Sequence, residues 1–194
     1  MVASSASAAR AGGAALLLVC LALTGGCAGD GSLPGSEVAP AAGEVAPDFG
    51  LPDQDRRQVR LQDLRGRWVV LYFYPSDDTP GCTLEATEFT ELLESFEQVN
   101  AVVLGVSGDP PLSHRYFREK RDLGIRLLSD VGREVMAAYG AWCRSTWRRR
   151  TVGRTIRSTF LIDPDGRVAW RWRHVVPEGH AAQVRAKLLE LAGG

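Results

Sequence analysis

Between Arg67 and Tyr74 the chain reads RWVVLYFY, with no charged side chain after the arginine. A strand with one face in water alternates apolar and polar residues, because successive side chains point to opposite faces. This run does not alternate, so it reads as a central strand buried on both faces. Such a strand needs cover above and below its sheet, which restricts the chain to a layered α/β architecture. Pro75, Pro80 and Gly81 then stop the strand in the loop 75–81. Beyond it, Phe89, Leu92, Leu93, Phe96 and Val99 recur at helical spacing, with Glu85, Glu88, Glu91, Glu94 and Glu97 expected on the opposite side. The spacing predicts an amphipathic helix that begins near Cys82.

The same reading continues along the chain. AVVLGVS at 101–107 is a second buried strand, and SHRYFREKRDLG is a short helix with Gly124 near its end. LLSD leads to a helix over about 132–139. STFLID is a third strand, and the DPDG turn at 163–166 joins it to RVAWRW as a hairpin. Ala182, Val184, Leu188, Leu189 and Leu191 mark a closing helix. The order βαβα…ββα, parallel first and antiparallel later, resembles the thioredoxin-like plan: a mixed central sheet flanked by helices.

The first 45 residues have a different character. Arg10 is the only charge before Asp30, and AGGAALLLVCLALTGG follows it. Its apolar core is too short to span a bilayer comfortably, which takes about twenty residues. A charged start, a short apolar stretch and small residues beyond describe a secretory signal. Gly25 and Gly26 lead into Cys27, which resembles a bacterial lipoprotein signal, although Leu23 stands one place further from the cysteine than usual. The expectation is a signal over 1–27 with Cys27 as the lipid attachment site. Simple secretion, an uncleaved anchor and a disordered leader are the alternatives. Residues 28–45, rich in Gly, Pro, Ala and Ser, read as a flexible linker. The folded domain is expected over 46–194, outside the cytosol and facing the periplasm or extracytoplasmic side.

The formal net charge is zero, so nothing in the charge balance points to nucleic acid. The four cysteines divide unequally. Cys20 lies in the leader, Cys27 would carry lipid, and only Cys82 and Cys143 remain as thiols in the domain. There is no C-x-x-C, hence no dithiol reductase site and no cysteine-based zinc site. His114, His174 and His180 have no metal-ligand spacing, and no nucleotide motif occurs. Neither a metal nor another cofactor is expected.

A thiol must ionise before it attacks. The unpaired N–H groups and dipole of a helix N-terminus favour the thiolate at Cys82. Asp77, Asp78 and Glu85 oppose it, so a reactive Cys82 needs a cation from elsewhere in the fold. A lone buried cysteine is more often inert packing, Thr79 and Pro80 by themselves could simply start a helix, and Arg157 could be a solvated charge.

Pro75, Thr79 and Cys82 stand in the order P-x-x-x-T-x-x-C, which resembles the active-site signature of peroxiredoxins. LYFYPSDDTPGCTLEATEF resembles the PrxQ, or bacterioferritin comigratory protein, subfamily. APDFGLPDQD, VVLGVSGD, SH at 113–114, LLSD, YGAW, RSTFLIDPDG and GH at 179–180 agree in order, so the likeness covers nearly everything after residue 45. It implies a thioredoxin-dependent thiol peroxidase of antioxidant defence. Cys82 would be the peroxidatic nucleophile, Thr79 a hydrogen-bonding partner of the peroxide, Arg157 the missing cation and Pro75 a shield from water. Apart from the resemblance, the position of Glu85 one turn into the helix suits it to pair with and orient an arginine. Hydroperoxides, a thioredoxin-like or small-molecule thiol, and a membrane reached through Cys27 are the expected partners; the expected state is a monomer.

One feature departs from the subfamily. Many members carry a resolving cysteine five positions after the first, where this chain has Thr87, or about 36 positions after it, where it has Arg118. Either the sulfenic acid is reduced directly by an external thiol, or Cys143 resolves it after local unfolding. Cys143 precedes a stretch with Arg144, Arg148, Arg149, Arg150 and Arg154, read as a long basic loop: solvated, or in contact with anionic headgroups. A non-catalytic lipoprotein that keeps the fold for binding is the reading from another class.

Overall fold

A computed structural model describes residues 39–147 and 150–193. In chain order the strands are β1 (Gly50–Pro52), β2 (Gln58–Arg60), β3 (Trp68–Phe73), β4 (Ala101–Ser107), β5 (Arg126–Ser129), β6 (Trp142–Trp147), β7 (Arg150–Thr155), β8 (Ser158–Ile162) and β9 (Val168–Arg173). The helices are α1 (Pro80–Glu91), α2 (Leu93–Glu97), α3 (Pro111–Arg121), α4 (Glu134–Ala138) and α5 (His180–Ala192). The central sheet has the order β5-β4-β3-β8-β9. β3, β4 and β5 run parallel, and β8 and β9 are antiparallel to their neighbours.

β3 occupies the middle, as its unbroken apolar run requires. Val69, Leu71 and Phe73 join one apolar cluster with Phe49, Leu104, Met136, Tyr139 and Phe160. Val70, Tyr72 and Tyr74 join the other with Cys82, Phe89, Phe96, Phe117, Val184 and Leu188. Thus α1, α2, α3 and α5 cover one face, while α4 and the N-terminal segment cover the other. Gly105 of β4 lies opposite Tyr72, and a Cβ there would stand 2.6 Å from the phenol oxygen. The missing side chain is what lets the Tyr72 ring lie flat beneath α1, stacked on Phe89 at 4.8 Å.

Four expectations need correction. The segment 39–45 was expected in a flexible linker, but it packs on the domain. Ala39 is buried, Arg171 donates to the carbonyls of Ala39 and Pro40, and the Gly43 N–H donates to the Val168 carbonyl at 2.8 Å. Gly140, with φ +62°, leaves room for Ala39, whose nitrogen a Cβ there would approach to 2.8 Å. The basic stretch after Cys143 is a two-stranded ribbon, β6 paired with β7, rather than a loop. LLSD is the body of β5 and pairs with β4, and β1 pairs with β2 in a further ribbon. The single helix predicted to begin near Cys82 breaks at Leu92 into α1 and α2, and Glu85 does not face solvent: it is fully buried. The periodicity could not distinguish Glu85 from its neighbours because the partner that accounts for its burial comes from β8's side of the sheet.

Candidate active site

β3 ends at Phe73, and the loop 74–79 carries the chain to α1. Pro80 at the first helical position fixes φ where no N–H is needed. The first i→i−4 bond of α1 runs from the Thr83 N–H to the Thr79 carbonyl at 2.8 Å. The N–H groups of Gly81 and Cys82 therefore precede the helical ladder and point out of its N-terminus. Cys82 sits in this first turn with 1 % of its surface exposed, and its thiol is free.

Arg157 immediately precedes β8, whose first residue, Ser158, pairs with Phe73 at the end of β3. That register sets Arg157 beside the start of α1, although 75 residues separate it from Cys82. Its Nη2 donates to Cys82 Sγ at 3.2 Å, and its Nη1 donates to Glu85 Oε2. One planar guanidinium thus spans the thiol and a carboxylate one helical turn further on. Burial pushes the Glu85 carboxyl up to about 7, against the pull of Arg157. Burial works against the Arg157 charge too, but Glu85 and Cys82 outweigh it and hold Arg157 above its ordinary value. A Cβ at Gly81 would press on Pro177 at 3.3 Å and lie in ordinary contact, 3.7 Å, with Arg157 Nη2.

The acidic flank that seemed to oppose ionisation is turned elsewhere. Asp78 pairs with Lys120 and Arg121 of α3, whose hydrogen bonds hold its carboxyl below the ordinary value. Asp77 accepts from Tyr74, Ser113 and His114. Thr79 occupies the N-cap position but does not cap; its hydroxyl donates to the Ser76 carbonyl at 3.2 Å, which leaves its lone pairs toward the exposed side of the loop. Pro75 is exposed on the same loop.

Beneath this layer, Tyr72 is buried with its hydroxyl lacking a partner among the described residues, and burial, with Glu85 and Cys82 close by, pushes its pKa far up. His180 opens α5; its Nε2 shares a hydrogen bond with the Thr159 hydroxyl at 2.8 Å. Burial, assisted by the Arg157 charge, depresses His180 to about 4, so the ring is neutral. Glu88 Oε1 accepts the Gly179 N–H at 2.9 Å and ties α1 to the start of α5.

Of the residues singled out in the sequence, Cys82, Arg157 and Glu85 are brought together, with Thr79 and Pro75 on the adjoining loop. Cys143 lies buried in β6, opposite Arg154 of β7, and is disulfide-bonded; its partner is not Cys82, which is free. Cys27, Arg148 and Arg149 lie outside the described residues. Sequence reasoning missed the packing of His114 and Ser113 against the Asp77 carboxylate; the SH pair at 113–114 was the one available signal.

The AhpC/TSA family pattern matches residues 42–171. The peroxiredoxin Bcp of Bacillus subtilis is 39 % identical over 151 residues, covering 77 % of this chain and 96 % of that protein. Among solved structures, Xanthomonas campestris peroxiredoxin Q superposes with a TM-score of 0.71 at 38 % identity, over 74 % of this chain and 91 % of that one. The Xanthomonas campestris bacterioferritin comigratory protein, described in connection with alkyl peroxide reduction, gives 0.74 at 36 % identity, over 78 % and 99 %. The chain belongs to the AhpC/TSA family. Within that family it is a Bcp/PrxQ peroxiredoxin, with the thioredoxin-like fold of those structures. It is a thiol-dependent peroxidase that reduces hydroperoxides, and the chemistry general to peroxiredoxins passes through a cysteine sulfenic acid and consumes a thiol reductant.

Proposed function

We propose that Cys82 is the peroxidatic cysteine of this peroxiredoxin. The carrying observation is the Arg157 fork, one nitrogen 3.2 Å from Cys82 Sγ and the other on Glu85. The Cys82 thiolate attacks one oxygen of the hydroperoxide; the S–O bond forms as the O–O bond breaks. Sulfur is oxidised by two electrons, and the leaving hydroxide or alkoxide takes a proton and departs as water or an alcohol. Arg157 stabilises the thiolate and the charge that develops on the breaking bond. The Thr79 hydroxyl, its proton given to Ser76, accepts a hydrogen bond from the peroxide O–H. The free N–H groups at the start of α1 hold the second oxygen, and Pro75 keeps water from the thiolate. One equivalent of hydrogen peroxide should yield a dimedone adduct on the Cys82 peptide; peroxide consumption undiminished in Cys82→Ser would overturn the assignment.

The cycle is best read as one-cysteine chemistry. Thr87 and Arg118 occupy the positions where a resolving thiol often stands, and the Cys143 disulfide does not involve Cys82. An external thiol attacks the sulfenic sulfur and releases water, and a second thiol releases Cys82 from the mixed disulfide. Oxidation without added thiol should leave a trappable sulfenic acid; a Cys82–Cys143 peptide, two hydrogens lighter, would favour resolution by Cys143 instead.

The N-terminal sequence supports an exported protein anchored by lipid on Cys27, which holds only where the Cys143 disulfide does not engage that thiol; we read it as a monomer reduced by a thioredoxin-like donor on the outer side of the membrane. Peptide mass mapping after membrane extraction should find Cys27 as the acylated N-terminus. Recovery of Cys27 unmodified or disulfide-linked would remove the anchor.

A further inference from the structure

The loop that carries Pro75 and Thr79 is fastened by side chains that the peroxidase chemistry leaves unused. Asp77 is the centre of the fastening, with its side chain 5 % exposed. Its Oδ1 accepts from the Tyr74 hydroxyl at 2.7 Å; its Oδ2 accepts from the Ser113 hydroxyl at 2.7 Å and lies 2.9 Å from His114 Nδ1. The donors on α3 thus grip the same carboxylate that closes the loop back onto Tyr74, with the exposed Pro75 in the span between. A second carboxylate seconds the grip. Asp109, just past β4, accepts the Asp77 N–H at 3.0 Å, the Ser76 hydroxyl at 3.2 Å and the Ser107 hydroxyl at 2.7 Å. Ser76 in turn receives the Thr79 hydroxyl on its carbonyl.

His114 is the informative member. It is fully buried, and its Nε2 has no hydrogen-bonding partner among the described residues. A buried ring nitrogen left unsatisfied costs free energy. The other nitrogen, Nδ1, stands 2.9 Å from Asp77 Oδ2 and is placed to donate its proton to that carboxylate. A side chain kept only to fill space would not carry an unsatisfied nitrogen into the core. Among the described residues the imidazole's polar contacts are with Asp77 and, at 3.4 Å, with the Tyr74 hydroxyl that bonds the same carboxylate.

We propose that Asp77, gripped from α3 by His114 and Ser113, is a positioning residue that sets Pro75 and Thr79 in register with Cys82 for attack on a peroxide. His114 acts through Asp77 and touches no reacting atom. The proposal rests on the roles given above to Pro75, Thr79 and Cys82. It predicts a specific separation of two reactions of one sulfur: attack on a peroxide needs the loop in register, whereas alkylation by iodoacetamide needs only an accessible thiolate.

The test uses the full-length protein and compares the second-order rate of Cys82 oxidation by hydrogen peroxide with its alkylation rate, followed on the Cys82 peptide. His114→Leu should slow oxidation by about tenfold or more while alkylation is unchanged or faster, as expected for reacting groups displaced by a fraction of an ångström. His114→Asn, whose amide N–H stands near the place of Nδ1–H, should restore most of the oxidation rate. Should the leucine variant not fold, Ser113→Ala removes one donor from the edge of the cluster and should lower the oxidation-to-alkylation ratio in the same direction. Unchanged oxidation in these variants, a proportional fall in both rates, or no recovery with asparagine would each overturn the proposal. Cys82→Ser in the same assay separates the readings: persistent peroxide consumption there defeats the assignment of Cys82 itself, whatever the ratios show.

Discussion

At the residue scale, the pairing of Glu85 with Arg157 joins stability to pH. Glu85 in the folded chain takes up its proton near 7, against about 4.5 ordinarily, so between those values the folded state binds more protons than the unfolded one. Stability from this group is therefore highest at low pH and declines as pH rises through that window. His180 acts in the opposite sense. Lowered from 6.5 to about 4, it is neutral when folded, and its contribution is lost as pH falls between those values. The two slopes oppose each other in the protein itself. In Glu85→Gln the Glu85 slope is removed while those of the other groups remain, so the stability difference from the parent should shift in the variant's favour by up to roughly 3 kcal/mol from pH 4.5 to 7. Urea unfolding at stepped pH reads this; a constant difference would show that Glu85 titrates normally. Arg157→Lys tests the fork directly. A single ammonium cannot bond Glu85 and Cys82 together in this planar geometry, and peroxide reduction should slow by about 100-fold, as measured by stopped-flow oxidation.

At the scale of elements, the close pairing of β3 with β4 is what seats α1. Tyr72 lies over Gly105, stacked on Phe89 of α1 and 5.5 Å from the Tyr74 ring. It cannot swing aside, because it is buried among Cys82's neighbours. Gly105→Ala should therefore cost about 1–3 kcal/mol as overpacking, lowering the urea midpoint, and the displaced ring should also slow Cys82 oxidation. The β6–β7 ribbon depends on a similar gap. Trp142 lies across Gly153, where a Cβ would come within 1.9 Å of the indole, and the Arg133 guanidinium stacks 4.6 Å from that ring. This sandwich anchors the ribbon that bears Cys143 to the start of α4.

Over the whole molecule, the domain starts earlier than its composition suggests. Ala39, the Gly43 bond to Val168 and the Arg171 bonds to two carbonyls bind the segment before Ala46 to β9. A chain beginning at Ala46 should melt several degrees lower than one beginning at Ala39, since a loss of about 1 kcal/mol shifts the midpoint by 2–4 °C in a domain of this size. Equal melting temperatures would mean that the segment adds nothing to the fold.

Much of this protein follows from local pattern. RWVVLYFY could only be an inner strand, Pro80 before Cys82 could only begin a helix, and the DPDG turn closed the β8–β9 hairpin; each rests on periodicity or on backbone restriction within a few residues. The likeness of the 75–82 loop and of RSTFLIDPDG to the family likewise pointed to Cys82, Thr79 and Arg157. What the tertiary structure alone decided is which charges meet. Glu85 and Glu88 have the same spacing signal as Glu91, yet Glu85 is buried on Arg157 and Glu88 bonds the start of α5. Asp77 and Asp78 looked like a repulsive flank for a thiolate, yet α3 neutralises one and locks the other. The basic stretch became a ribbon because Trp142 found Gly153 across the strand and Arg133 above it. The partners of these carboxylates lie 36 to 91 residues away, and an electrostatic interaction at that separation leaves no periodic trace along the chain.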